Sequence, residues 1–242
     1  MVNSDKTLEE QAQRLADYII AIDLEPVPLP PEYFYASLPL CVIDAVFSIG
    51  VSYTSTRNTV VRYCKRQNWT RTLAPDAPRA RGERTIVEFL ALFDGLAPDQ
   101  MADELFGNRQ RTSTRSGILK AEAVQRFASA LKEFGIDDFE DMTGDRPAAA
   151  EKLVRGIPGQ GSGISFDYFR MLAGDDNLIK PDRMVQRLIA RAIDVKPDQV
   201  TPDLARTILK GAIPVLAERG AGWSPRQLDY AIWERESSGP AK

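Results

Sequence analysis

The chain has 242 residues, 43% hydrophobic and 27% charged, with a net charge of -3, the composition of an ordinary globular protein able to bury one large or two modest cores. It carries two cysteines, Cys41 and Cys64, and no histidine, which excludes four-thiolate zinc and iron-sulfur sites, most catalytic metal centres and every histidine-based nucleophile relay. No apolar run approaches the roughly 20 residues of a membrane span and the first residues lack the order of a secretory signal, so a cytoplasmic protein with both thiols buried as small apolar side chains is expected.

Taken in chain order, "TLEEQAQRLADYIIAI" spaces Leu8, Leu15, Tyr18, Ile19 and Ile22 for a helix, and the prolines of "LEPVPLPPEYFYASLP" make the next stretch a connector. "LCVIDAVFSIGVSY" is apolar almost all round, which predicts a buried helix, and "TSTRNTVVRYCKRQ" a second, basic one. After the loop "APDAPRARGE", helical spacing returns in "RTIVEFLALFDG", in "APDQMADELFG" up to Gly107, and in "ILKAEAVQRFASALKEFG" up to Gly135. "AAAEKLVRG", "SGISFDYFRMLAG", "IKPDRMVQRLIARAI", "TPDLARTILKGAIPVLAERG" and "SPRQLDYAIWERE" complete the series, and the tail "SSGPAK" is expected to fray. No alternating strand pair and no 20 to 50 residue repeat is present, so the fold class is all-α.

Two stretches are locally basic: Arg62, Lys65, Arg66, Arg71, Arg79, Arg81 and Arg84, and then Arg109, Arg111, Arg115, Lys120 and Arg126. Such stripes suit phosphates in an otherwise acidic protein, and they suit solvated helix faces equally well. Between two helices lies "IPGQG", where Gly159 and Gly161 allow positive φ or the close approach of another backbone. The free N–H groups and positive dipole end at the start of the following helix suit a phosphate oxygen. Some twenty residues on, Pro181 and Asp182 open a helix with Met184, Val185, Leu188, Ile189 and Ala192 along one side. Asp182 serves there as an N-cap, and it is also a carboxylate placed to face a deoxyribose if the turn grips DNA.

In this combination the chain resembles the helix-hairpin-helix DNA glycosylases of the endonuclease III type. Ile157, Pro158, Gly159, Gln160 and Gly161 match the family's Leu-Pro-Gly-x-Gly hairpin, and Asp182 its catalytic aspartate; the similarity runs from about Leu38 to Ala192. The resemblance implies a two-lobed helical fold, with residues 35–172 as a central lobe ending in the hairpin and residues 1–34 plus 173–242 as a second lobe carrying Asp182. Bifunctional members place a lysine where this chain has Gly163, so no amine is available for a Schiff base and lyase activity is not expected. The iron-sulfur cluster of many members is missing, and Gly50 stands where the family often has a glutamine that fills the gap left by the flipped base.

The implied activity is monofunctional hydrolysis of an N-glycosidic bond in double-stranded DNA bearing a damaged or modified base, the protein acting as a monomer at the nucleoid. Asp182 would stabilise an oxocarbenium-like transition state or activate water. Gly159, Gly161, Ser162, Gly163 and Lys180 would contact the DNA backbone, and Arg115 and Ser116 stand at the loop that wedges into it. Ser48, Tyr53, Asp44, Phe34 and Tyr35 are the base-pocket candidates, the aromatic ones with core packing as the alternative and Asp44 with a buried cap or ion-pair partner; Trp223 and Trp233 follow them. No metal is implied, although the family can hold a monovalent cation at the hairpin carbonyls. The rival readings are a non-catalytic DNA-binding module, a helical protein-interaction domain that reuses the fold, and a glycosylase that acts on modified foreign DNA, such as phage DNA, rather than in repair.

Overall fold

The computed structural model describes residues 2–74, 83–114 and 117–237, with side chains from Thr7 onward. Most of the loop 74–83, with Arg79 and Arg81, the tail after Ser237, and the wedge candidates Arg115 and Ser116 lie outside the described residues. Within them the chain forms α1 (Val2–Ala21), α2 (Leu38–Phe47), α3 (Tyr53–Gln67), α4 (Ile86–Ala91), α5 (Pro98–Gln100), α6 (Lys120–Glu133), α7 (Arg146–Arg155), α8 (Ile164–Leu172), α9 (Arg183–Ile193), α10 (Pro202–Glu218) and α11 (Pro225–Ser237). Extended backbone pairs only in isolated bridges, Tyr35 with Thr72 and Arg111 with Leu119, so among the described residues there is no sheet and the fold is all-α. None of the described helices is long and apolar enough to cross a membrane. The chain divides into two compact units, Pro30–Ala173 and Met1–Leu29 with Gly174–Lys242.

The unit Pro30–Ala173 is built around α2. All ten of its residues are buried, because α3, α4, α6 and α8 pack on its different sides and a helix apolar all round has to be covered on all of them. Beside it the rings of Phe47, Tyr63, Phe89, Phe93 and Phe106 meet at centroid separations from 4.9 to 6.1 Å, and each fully buried ring stabilises the unit by about 2–3 kcal/mol. The stretch read as one helix up to Gly107 is α5 followed by a π-helical turn, Met101–Phe106. Its wide turns leave carbonyls open, and two arginines of α3 fill them: Arg66 donates to Asp103 O and Glu104 O, and Arg62 to Phe106 O and Gly107 O at 2.7–3.0 Å.

The second unit packs α1, α9, α10 and α11 around one core. Leu15 and Ile19 of α1 meet Val185, Leu188 and Ile189 of α9, Ile208 and Leu209 of α10, and Leu228 and Ile232 of α11. Helices α1 and α10 come so close that a Cβ on Gly211 would lie 3.0 Å from Ala12 Cβ. Helix starts follow the expected chemistry: Thr201 accepts from Leu204 N at 3.2 Å, and Ser224 and Gln227 cap each other reciprocally. Trp223 is 7% exposed and belongs to this core, while Trp233 stacks on Tyr230.

Candidate functional site

Helix α7 ends at Gly156, and the chain turns through Ile157–Gly163 into α8. Two tight turns make the corner, with Gln160 N donating to Ile157 O at 2.9 Å and Gly163 N to Gln160 O at 3.1 Å, and the buried Ile157 anchors it. The positive φ angles fall on Gly159 (86°) and Gly163 (76°), not on Gly161. Gly159 is also sterically required, since a Cβ there would lie 2.5 Å from Thr112 Cβ. Gly161 has no such constraint: the nearest atom to an added Cβ would be Arg155 O at 3.7 Å. The Gly163 N–H, read from the sequence as open to a ligand, is spent within the turn, whereas the backbone N–H groups of Gly159, Gly161 and Ser162 have no backbone acceptor among the described residues.

The turn rests on the loop that leads into α6. Thr112 N donates to Ile118 O at 2.9 Å, Lys120 N to Gln110 O at 2.8 Å, and Arg111 Nη1 to Gly117 O at 2.9 Å, which draws the two ends of the loop together. A Cβ on Gly117 would strike Ser113 N at 2.1 Å, and Thr112 Oγ1 lies within 3 Å of where the Cβ atoms of both Gly117 and Gly159 would be. The threonine is thus clasped between two glycines, one from each segment. Asn108 and Gln110 tie the loop to α3 through Thr59 and Ser55.

Several described residues of the basic stripes have partners within the unit. Arg62 and Arg66 cap the π-helical turn, Arg109 pairs with Asp99 and Asp103, Arg126 with Glu122, and Arg84 lies over the Trp69 ring. Lys120 is 1% exposed, and its ammonium donates to Phe47 O and Ile49 O beyond the end of α2. Charge counting along the sequence could not show which of these cations have partners within the fold.

Three pocket candidates come together. Tyr35 donates its hydroxyl to Asp44 Oδ2 at 2.7 Å, with Asp44 2% exposed on α2, and Tyr53 donates to Glu32 while its ring stacks on Tyr33. Burial first, and then the charge of Asp44, raise the Tyr35 and Tyr168 hydroxyls well above the usual phenol value. Burial and the bond to Glu32 do the same to Tyr53. The group is therefore four tyrosines and two carboxyls, of which Tyr33, Tyr168 and Glu32 were not singled out in the sequence. Ser48 turns its hydroxyl back to Ala45 O, and Phe34 is half-buried, its carbonyl accepting Leu73 N. A Cβ on Gly50, which has φ of 73°, would meet nothing within 4 Å.

Asp182 belongs to the other unit and is the N-cap of α9. Its Oδ1 accepts Met184 N at 2.8 Å and Val185 N at 3.4 Å, which leaves Oδ2 without a hydrogen bond among the described residues. The approach Lys180–Asp182 is held at each residue: Lys180 N donates to Asp229 Oδ1 at 2.9 Å, Gln186 Nε2 to Pro181 O at 2.8 Å, and Asp182 N to Lys180 O at 2.6 Å. Asp229, on α11, is missing from the sequence reading because nothing 49 residues downstream announces a partner for Lys180. Arg183 and Arg187 stand exposed on the first turns of α9. No group of three or more metal-ligating side chains occurs among the described residues. Cys41 and Cys64 are buried thiols that form no disulfide with each other, and burial pushes the Cys64 thiol up to about 11.

The class that these features define is an all-helical protein with a glycine turn between two helices and a helix-capping aspartate. The chain belongs to the family described as Domain of unknown function (DUF8548), which matches residues 13–237. No curated protein and no solved structure matches it.

Proposed function

We propose that this protein is a monofunctional DNA glycosylase with the two-lobed helix-hairpin-helix architecture, one that flips a damaged or modified base out of double-stranded DNA and hydrolyses its N-glycosidic bond. The observation that carries the reading is Gly161. Gly159 and Gly163 are glycines for reasons internal to the fold, whereas Gly161 has neither positive φ nor a close neighbour, yet its N–H, with those of Gly159 and Ser162, is a donor left open at the turn among the described residues. Bare backbone with open donors at a helix start suits a phosphate oxygen, and the hairpin pattern Ile157–Gly161 resembles that of the glycosylases.

Asp182 supports the chemical half of the reading. One oxygen is committed to the cap and the other is uncommitted, so the group keeps its orientation while presenting an oxygen to positive charge developing on a sugar. Flipping costs a few kcal/mol, least for damaged bases. The tyrosines and carboxyls around Asp44 supply flat walls and polar readers of the kind a base needs. Gly163 in place of a lysine leaves no amine for a covalent sugar intermediate, which favours hydrolysis without strand cleavage.

The test is mass spectrometry of bases released from alkylated, oxidised, deaminated and phage-modified duplexes by wild type and by Asp182→Asn. Release by wild type and not by the variant is the expected result and names the base. Salt-sensitive binding without release from any of these duplexes would replace the reading with that of a non-catalytic DNA-binding module.

A further inference from the structure

Asp229 lies on α11 with 7% of its surface exposed. Its Oδ1 accepts the Lys180 amide at 2.9 Å, two residues before the candidate catalytic carboxylate. A neutral side-chain oxygen would satisfy one amide equally well, and burying a carboxyl is expensive, so the hydrogen bond alone does not account for an aspartate here. We propose that Asp229 is a positioning residue for Asp182, anchoring the Lys180–Asp182 approach through the Lys180 amide and setting a second carboxyl against the first. The proposal takes its catalytic meaning from the glycosylase reading.

The surroundings define the electrostatics. Asp182 and Lys180 face Asp229 from the approach to α9, and Arg226 faces it from its own helix; Arg226 in turn donates to Asp176 Oδ1 at 3.0 Å. Helix α10, also packed against α11, buries only apolar side chains, Ala205, Ile208, Leu209, Ala212 and Leu216. Burial, followed by the negative charge of Asp182, holds the Asp229 carboxyl well above its ordinary value, against the pull of the Lys180 amide and the charges of Lys180 and Arg226. With Asp229 neutral, Asp182 is spared a like charge from α11 at that position. As pH rises and Asp229 ionises, the two carboxylates repel and the approach is disturbed.

The experiment uses the full chain with carbon-13-labelled aspartate and follows the Asp182 carboxyl by NMR titration in wild type, Asp229→Asn and Asp229→Ala. Base release per folded molecule is measured across the same pH range. In Asp229→Asn, which keeps an oxygen for Lys180 N, the Asp182 titration should lose the inflection that reports Asp229, and base release should hold its rate to higher pH than wild type. In Asp229→Ala, which removes the anchor, kcat should fall roughly tenfold, the loss of about one hydrogen bond, with KM unchanged. An Asp182 titration identical in wild type and Asp229→Asn overturns the proposal, and so does a wild-type kcat in Asp229→Ala. If Asp229→Ala does not fold, the Asp229→Asn titration decides alone. Coupled titrations with no base released by wild type would support the positioning role while overturning the glycosylase reading.

Discussion

The turn between α7 and α8 and the approach to α9 are both short stretches that end at a helix N-terminus, yet opposite means hold them. At the turn the fold removes side chains, and Gly159 and Gly163 let the backbone take left-handed angles and lie against Thr112 and Arg155. At the approach the fold adds buried polar partners, since Asp229 takes the Lys180 amide and Gln186 donates to the Pro181 carbonyl. The turn should therefore fail through steric strain and the approach through charge and hydrogen bonding, so substitutions can separate the two.

The largest effect is expected at Asp182. Asp182→Asn keeps an oxygen for the Met184 and Val185 amides and loses the charge, so base release should fall by roughly 10²-fold or more with duplex affinity within about twofold by fluorescence anisotropy. A rate near that of wild type would remove Asp182 from the chemistry.

Within the turn, the glycines should part company. Gly159→Ala combines a φ of 86° with an atom 2.5 Å from Thr112 Cβ, and urea unfolding should show a loss of about 2 kcal/mol or more. Gly161→Ala should stay within about 0.5 kcal/mol of wild type in stability and lose affinity for duplex DNA roughly tenfold, because the added methyl holds a phosphate away from the open amides and weakens a charge-assisted hydrogen bond. Equal destabilisation by the two substitutions would erase the distinction between them.

The approach should answer to pH. The Asp229 carboxyl value is raised in the folded protein by burial first and then by Asp182. Its contribution to stability is therefore fully present below the unfolded carboxyl value of about 4 and is lost as pH rises through the folded value. Asp229→Asn removes this dependence, so its urea midpoint should gain on wild type as pH is raised from about 4; parallel curves would contradict the assignment. Asp141 has the opposite sign. Burial would raise it, but the amides of Asp137 and Asp138 and the Arg146 guanidinium hold it below its usual value, so its contribution is lost as pH falls through that lowered value. The smallest effect belongs to Gln186→Ala, which removes one side-chain bond to Pro181 O and should cost about 1 kcal/mol.

Local pattern and tertiary placement divide clearly in this chain. Helical periodicity, the all-round apolar character of α2, the caps at Thr201 and Asp182 and the glycine stops at Gly107 and Gly135 are all legible in the sequence. They depend on residues within a turn or two of one another, where propensity and capping act. The π-helical turn Met101–Phe106 escaped, because its carbonyls are satisfied by Arg62 and Arg66 from a different helix. The same bonds give two arginines of a basic stripe partners inside the unit, which charge counting along the sequence does not show. Which glycines carry positive φ was also decided in space: Gly159 lies against Thr112 and Gly163 against Arg155, while Gly161 touches little.

What the sequence by itself determined is the all-α class, most of the helix starts and stops, the absence of imidazole chemistry, and a glycine turn and a capping aspartate as the positions to ask about. What only the tertiary structure decided is which polar groups meet: Tyr35 with Asp44, Thr112 between Gly117 and Gly159, and Asp229 with the amide of Lys180. The physical reason is range. Helix formation and capping are settled within a few residues along the chain, whereas a buried hydroxyl or carboxyl takes its partner from whatever segment the core brings beside it.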